Sequence, residues 1–154
     1  MRVLLVNPEY PDTYWSFRHA LAFERKRSAS PPLGLLTISA MLPDSWERKL
    51  IDLNVRQLKP ADIEWADIVM ASAMLVQKDS LKRVVAECKA RGKLVVVGGP
   101  YVSTSVEELP GADHIFLGEA EATFPQFLRD LENGEAKPAY QAVERPQLCS
   151  TPIP

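Results

Sequence analysis

Short, wholly apolar runs alternate with amphipathic stretches along this chain. Val3-Leu4-Leu5-Val6, Ile68-Val69-Met70-Ala71 and Leu94-Val95-Val96-Val97 show no polar alternation, the mark of strands buried on both faces. The pattern predicts strands at Arg2–Val6, Arg48–Leu53, Asp67–Ser72, Lys93–Val97 and His114–Leu117. The second is partly alternating and belongs nearer a sheet edge. Between them, Leu81, Val84, Val85 and Cys88 keep helical spacing within Asp79–Arg91, and Gly92 follows as a stop signal. Pro31-Pro32 opens a helix over Leu33–Leu42, since proline is tolerated in a first helical turn. Further helices are predicted over Pro60–Trp65, Ser103–Leu109 and Ala120–Glu132, the last with Phe124, Phe127, Leu128 and Leu131 inward.

Strand and helix thus alternate five times, which predicts an α/β domain with a parallel sheet and helices on both faces. The expected architecture is doubly wound and flavodoxin-like (Rossmann-like), five-stranded, in the order 2-1-3-4-5. Its switch point lies between the first and third strands, and ligands bind beyond the carboxyl ends of strands there. Asn7, Ser72, Gly98 and Gly118 close four of these strands and are expected to share one crevice. Residues 1–134 form the expected domain. Residues 135–154 lose all periodicity and read as a linker or tail toward a missing catalytic domain. Residues 9–30 are a long connection carrying Tyr10, Tyr14, Trp15, Phe17 and the basic run Arg25-Lys26-Arg27; connections of that length are usually functional or mobile.

Composition narrows the picture. The chain has 154 residues, a formal charge of -2 and 46% hydrophobic residues, so it offers no general attraction to nucleic acid or to an anionic membrane. No apolar run nears the ~18 residues of a membrane span, and no signal-peptide pattern opens the sequence; a cytoplasmic location is expected. The two cysteines, Cys88 and Cys149, make neither a disulfide framework nor a metal-spaced cluster.

The strand ends decide which ligand fits. No acidic cluster follows the first strand, which ends in Asn7-Pro8, and Ala71-Ser72-Ala73 stands where a phosphoacceptor aspartate would be needed. The loop after the first strand is proline-rich and aromatic, so a flavin phosphate has no nest. Neither G-x-G-x-x-G nor a P-loop is present. What remains is a border of small residues, Ala71-Ser72-Ala73, Gly98-Gly99 and Gly118, suited to a bulky ligand that approaches the main chain closely.

Val3-Leu4-Leu5-Val6-Asn7-Pro8, Pro31-Pro32-Leu33-Gly34-Leu35-Leu36, Val95-Val96-Val97-Gly98-Gly99-Pro100 and Leu117-Gly118-Glu119-Ala120-Glu121 occur in this order. With that order and spacing, residues 1–134 resemble the N-terminal cobalamin (vitamin B12)-binding domain of cobalamin-dependent radical S-adenosylmethionine enzymes. The resemblance implies a corrin ring over the carboxyl border of the sheet and a nucleotide tail in its groove. It implies that Gly98, Gly99 and Pro100 flank the tail, with Ser72, Ala73 and Met74 on its other side. Gly118, Glu119 and Ala120 would hold the corrin edge or ribose. Asn7, Pro8 and the turn carrying Pro32, Leu33 and Gly34 would touch corrin amides. The D-x-H-x-x-G motif of methionine synthase-like domains is absent, since Phe17 stands two places before His19; the lower cobalt ligand stays open. Radical chemistry needs three cysteines to hold a four-iron four-sulfur cluster. The two cysteines here cannot supply them, so the cluster and S-adenosylmethionine are expected only in a downstream catalytic domain of the methyltransferase or cyclase type. Two other readings of the same residues stay open: a nucleotide-binding α/β domain, and an interaction module that keeps the fold without a ligand.

Overall fold

The computed structural model describes residues 1–12, 31–105 and 111–142. Predicted features at residues 13–30, including His19 and the basic run, lie outside the described residues. So do the end of the helix expected at Ser103–Leu109, and Cys149.

Six strands make one sheet in which every neighbouring pair is parallel. They are β1 (Arg2–Asn7), β2 (Glu47–Asp52), β3 (Ile68–Ser72), β4 (Leu94–Gly98), β5 (His114–Leu117) and β6 (Ala139–Gln141), in the order β2-β1-β3-β4-β5-β6. The five expected strands keep the expected 2-1-3-4-5 succession. The count of five is corrected to six, because Ala139–Gln141 adds a strand beside β5 in the stretch that carries no periodicity in sequence. Its anchor is one aromatic residue. Tyr140 is 3% exposed, stacks on Phe116 with centroids 5.4 Å apart, and donates its hydroxyl to Asp130 at 2.8 Å. Three residues with one buried side chain are too few to show a period.

Helices cover both faces. On one side α2 (Pro60–Trp65), α3 (Lys78–Ala90) and α4 (Pro100–Thr104) bring Ile63, Leu81, Val84, Cys88, Tyr101 and Val102 against Leu4, Val6, Val69, Val95 and Val97. On the other, α1 (Leu33–Met41) and α5 (Phe124–Glu132) bring Leu35, Phe124 and Phe127 against Val3, Leu5, Met70, Val96 and Phe116. The odd and even positions of each strand therefore both serve a core, which is why these strands read as unbroken apolar runs. The edge strand β2 is an exception: Glu47, Arg48 and Leu50 are exposed and only Ile51 is buried, consistent with its alternating pattern.

Two boundaries differ from the sequence reading. The helix after β4 begins at Pro100 rather than Ser103, because proline at its first position has no N–H to leave unbonded. The element expected at Ala120–Glu132 is a 3-10 turn (Ala120–Ala122) followed by α5, which starts at Phe124.

Candidate functional site

All strands being parallel, their carboxyl ends meet along one border, and two adjoining cavities open there. The larger, about 450 Å³, lies over β3, β4 and β5 between α1 and the turn that follows β5. The smaller, about 190 Å³, lies over the ends of β1 and β3. Gly34, Leu35, Ser72 and Pro100 line both.

Strand register explains the larger cavity. Met70 pairs with Val96 and Ser72 with Gly98. On the α1/α5 face, side chains thus shrink from Met70 to Ser72 and from Val96 to Gly98, and on β5 from Phe116 to Gly118. Bulky residues form the floor and small ones the mouth. Ser103 sets the width of that mouth. Its hydroxyl donates to Gly99 O at 3.1 Å and accepts from Gly118 N–H at 2.9 Å, bridging the ends of β4 and β5. Glu119 and Glu121 stand at the rim, and no lysine or arginine lines either cavity among the described residues.

The structure brings most of the sequence-derived candidates together. Gly34, Ser72, Gly98, Gly99, Pro100, Gly118, Glu119 and Ala120 line the larger cavity. Asn7, Pro32, Leu33, Ala73 and Met74 line the smaller. Pro8 lines neither; its carbonyl accepts hydrogen bonds from Gln77 and Asn54. Leu33 and Met74 are 62% and 50% exposed, and Leu75 and Val76 extend this apolar margin into solvent.

The glycines divide by cause. Gly99 has φ +97°, and a Cβ there would lie 2.6 Å from Ser72 Oγ and 2.9 Å from Ala73 O. Its missing side chain lets the crossover after β4 pass close to the end of β3, a demand of the fold itself. At Gly98 an added Cβ would meet Phe116 Cβ at 3.4 Å. Gly34 is different. It sits in α1, an added Cβ would have no neighbour within 4 Å, and it lines both cavities. Gly34 is the second residue of α1, and no packing around it demands a glycine.

Several lining residues escape a sequence reading: Leu35, Met70, Val96, Phe116 and Phe124 look like ordinary core. The available signal was their spacing, since Met70, Val96 and Phe116 each stand two residues before a small strand-end residue and so on the same face. Buried Gln77 gave no sequence signal at all. Cys88, on the opposite face, is fully buried, and burial with help from Glu87 pushes its thiol up to about 11, so it takes no part in chemistry at the border. Groups of three or more side chains suited to a metal ion are absent among the described residues. No helix among them is long and apolar enough to cross a membrane.

Comparison with known proteins agrees with this geometry. The B12 binding domain family matches residues 25–128. An uncharacterized methyltransferase of Synechocystis sp. is 43% identical over 156 aligned residues, covering 100% of this chain and 29% of that protein. The hopanoid C-2 methylase of Rhodopseudomonas palustris is 31% identical, over 99% of this chain and 30% of its own length. A bacteriochlorophyllide d C-12(1)-methyltransferase of Chlorobaculum tepidum is 23% identical over 81% of this chain and 28% of its length. The chain therefore spans less than a third of each of these relatives. The family match covers most of the sequence and every element from α1 to β5, and on that ground this chain belongs to the B12 binding domain family.

Proposed function

We propose that this domain holds cobalamin with its nucleotide tail in the larger cavity and its corrin ring over the carboxyl border of the sheet. It would present the cofactor to a downstream radical S-adenosylmethionine domain that transfers methyl groups. The observation that carries the reading is Gly34, which lines both cavities while no packing around it demands a glycine.

Size supports the placement. A cavity of about 450 Å³ falls within the ~300–1,000 Å³ of small-ligand sites, which admits a heterocycle and sugar but not a macrocycle. The macrocycle would stay outside, against the exposed Leu33, Met74, Leu75 and Val76. Electrostatics supports it too. With Glu119 and Glu121 at the rim and no described cation lining the cavity, a phosphate gains no ion pair inside and belongs at the solvent-facing mouth. The same lack weighs against a nucleoside triphosphate, whose phosphates need donors and positive charge.

When bound, cobalamin supplies a transferable methyl group. The chain's own residues bind and orient: Met70, Val96 and Phe116 exclude water from the cavity floor, Ser103 fixes the gap between β4 and β5, and Asn7 and Ser72 present polar atoms at the mouth. The relatives' printed activities, methyl transfer to a hopanoid and to bacteriochlorophyllides, motivate the methyltransferase reading. The span of under a third of their lengths motivates the downstream domain.

Reconstitution tests the binding. The chain mixed with hydroxocobalamin and passed through gel filtration should retain the corrinoid absorption band. Loss of the band combined with a rise in melting temperature on adding adenine nucleotides would favour a nucleotide domain instead; no response to either would leave an interaction module.

A further inference from the structure

The segment leaving β1 is held from three sides. Glu9 N–H donates to Ser80 Oγ at 2.9 Å, Tyr10 N–H to Asn54 Oδ1 at 2.9 Å, and Asn54 Nδ2 to Pro8 O at 3.3 Å. Beneath it lies Gln77, 2% exposed. The orientation of its amide is fixed by neighbours with only one possible role each. Met74 N–H can only donate, and it donates to Gln77 Oε1 at 2.9 Å. Pro8 O can only accept, and it takes an N–H from Gln77 Nε2. Gln77 Nε2 therefore also faces Asn7, and the Asn7 atom that meets it is Oδ1, at 3.5 Å. That bond is long. Turning Asn7 round would nevertheless set two amide NH2 groups against each other at a site closed to water, which is costly.

Asn7 Nδ2 must then point the other way. Asn7 is 7% exposed and lines the smaller cavity. Its Nδ2 donates to no group among the described residues. No fully buried side-chain nitrogen or oxygen there lacks a partner, so Nδ2 lies at the cavity surface.

We infer that Asn7 is a specificity-determining residue offering an N–H to an acceptor oxygen of the ligand, and that Gln77 is the positioning residue that sets this polarity. The inference rests on the reading that the chain holds cobalamin. The acceptor is a carbonyl oxygen of a corrin side-chain amide or an oxygen of the tail phosphate; both are hydrogen-bond acceptors.

The test is titration of the 154-residue chain with four kinds of probe: hydroxocobalamin, its monocarboxylic acids in which one propionamide is hydrolysed, dicyanocobinamide (which lacks the nucleotide), and buffer alone. For an amide source, Asn7→Asp should reject one acid isomer at least tenfold, an isomer that the unmodified chain binds at least as tightly as hydroxocobalamin. For a phosphate source, Asn7→Asp should weaken hydroxocobalamin at least tenfold and spare dicyanocobinamide. Gln77→Glu, at a position that also lines the smaller cavity and gives up the N–H taken by Pro8 O, should give the same selective loss, because its carboxylate accepts from Asn7 Nδ2 and turns the Asn7 oxygen toward the cavity. Equal binding of every probe by Asn7→Asp and the unmodified chain overturns the assignment. So does an unmodified chain that itself rejects the isomer Asn7→Asp rejects.

Melting without ligand judges the polar chain independently. Asn7→Asp keeps an acceptor for Gln77 at the cost of a charge at a nearly buried site, whereas Asn7→Leu removes the acceptor and should melt lower than Asn7→Asp. Equal losses would show that Gln77 does not donate to position 7. An unmodified chain that binds no corrinoid would sink the cobalamin reading, with the melting comparison still standing.

Discussion

At the scale of single residues, neighbouring glycines obey different constraints. Gly99→Ala would press a methyl group into Ser72 and Ala73 in a left-handed backbone, so it should lower the melting temperature by several degrees with or without ligand, read by circular dichroism. A variant at Gly99 therefore cannot report on ligand binding alone. Gly34→Phe can: its ring would enter open space and occupy the mouth of both cavities. It should abolish corrinoid retention on gel filtration while leaving the melting temperature unchanged or raised, since phenylalanine suits a helix better than glycine. Retention of the corrinoid by a folded Gly34→Phe chain would count against the placement of the ligand. The glycines were legible in the sequence as a group, but the division between them was not. It depends on which backbone passes within 3 Å, and that is set by the crossover after β4 rather than by local pattern. Gln77 was illegible for a related reason: a glutamine between an apolar turn and an amphipathic helix reads as solvated, and only the fold places Pro8 and Asn7 over it.

At the scale of elements, the apolar runs made β1, β3 and β4 readable because both faces of each strand are buried. β6 lacked any such run. Its place depends on Tyr140, which packs on Phe116 and Phe127 with centroids 5.4 Å away in each case. Burial, with the nearby Asp130 carboxylate, raises the pKa of the Tyr140 hydroxyl. Tyr140→Ala should destabilise the fold by about 3–5 kcal/mol, the usual range for removing a buried ring, measured as a shift in urea midpoint. Tyr140→Phe keeps the packing and loses the hydroxyl bonds, and should cost about 1 kcal/mol. If the two variants unfold alike, the ring is not what holds β6 to the sheet.

At the scale of the whole molecule, the added strand changes where a stable piece ends. A chain cut after residue 134, where sequence periodicity stops, would uncover Phe116 and Phe127. It should unfold at lower urea than one ending at residue 142, and equal midpoints would show that β6 is dispensable. Charge acts at this scale as well. The Arg2 backbone N–H and guanidinium hold Asp67 below the ordinary aspartate value of 3.8. For Asp113, burial pushes upward but Lys89 and the Val95 N–H outweigh it, again with a net lowering. A carboxylate whose pKa is depressed in the folded state stabilises the fold fully above its unfolded value and loses that contribution as pH falls through the folded value. Urea midpoints should therefore hold steady down to about pH 5 and fall below about pH 4. Asp113→Asn should flatten that fall, and an unchanged acid limb would remove Asp113 from the account.

Both of these carboxylates sit where strands begin. Asp67 and Asp113 immediately precede β3 and β5, and Arg2 opens β1, so these two acid-labile fastenings lie at the far hem of the sheet from Ser103 and Asn7. Acidification below about pH 4 should thus slacken the amino-terminal seam, and a bound guest at the opposite margin should keep its grip until the sheet as a whole gives way.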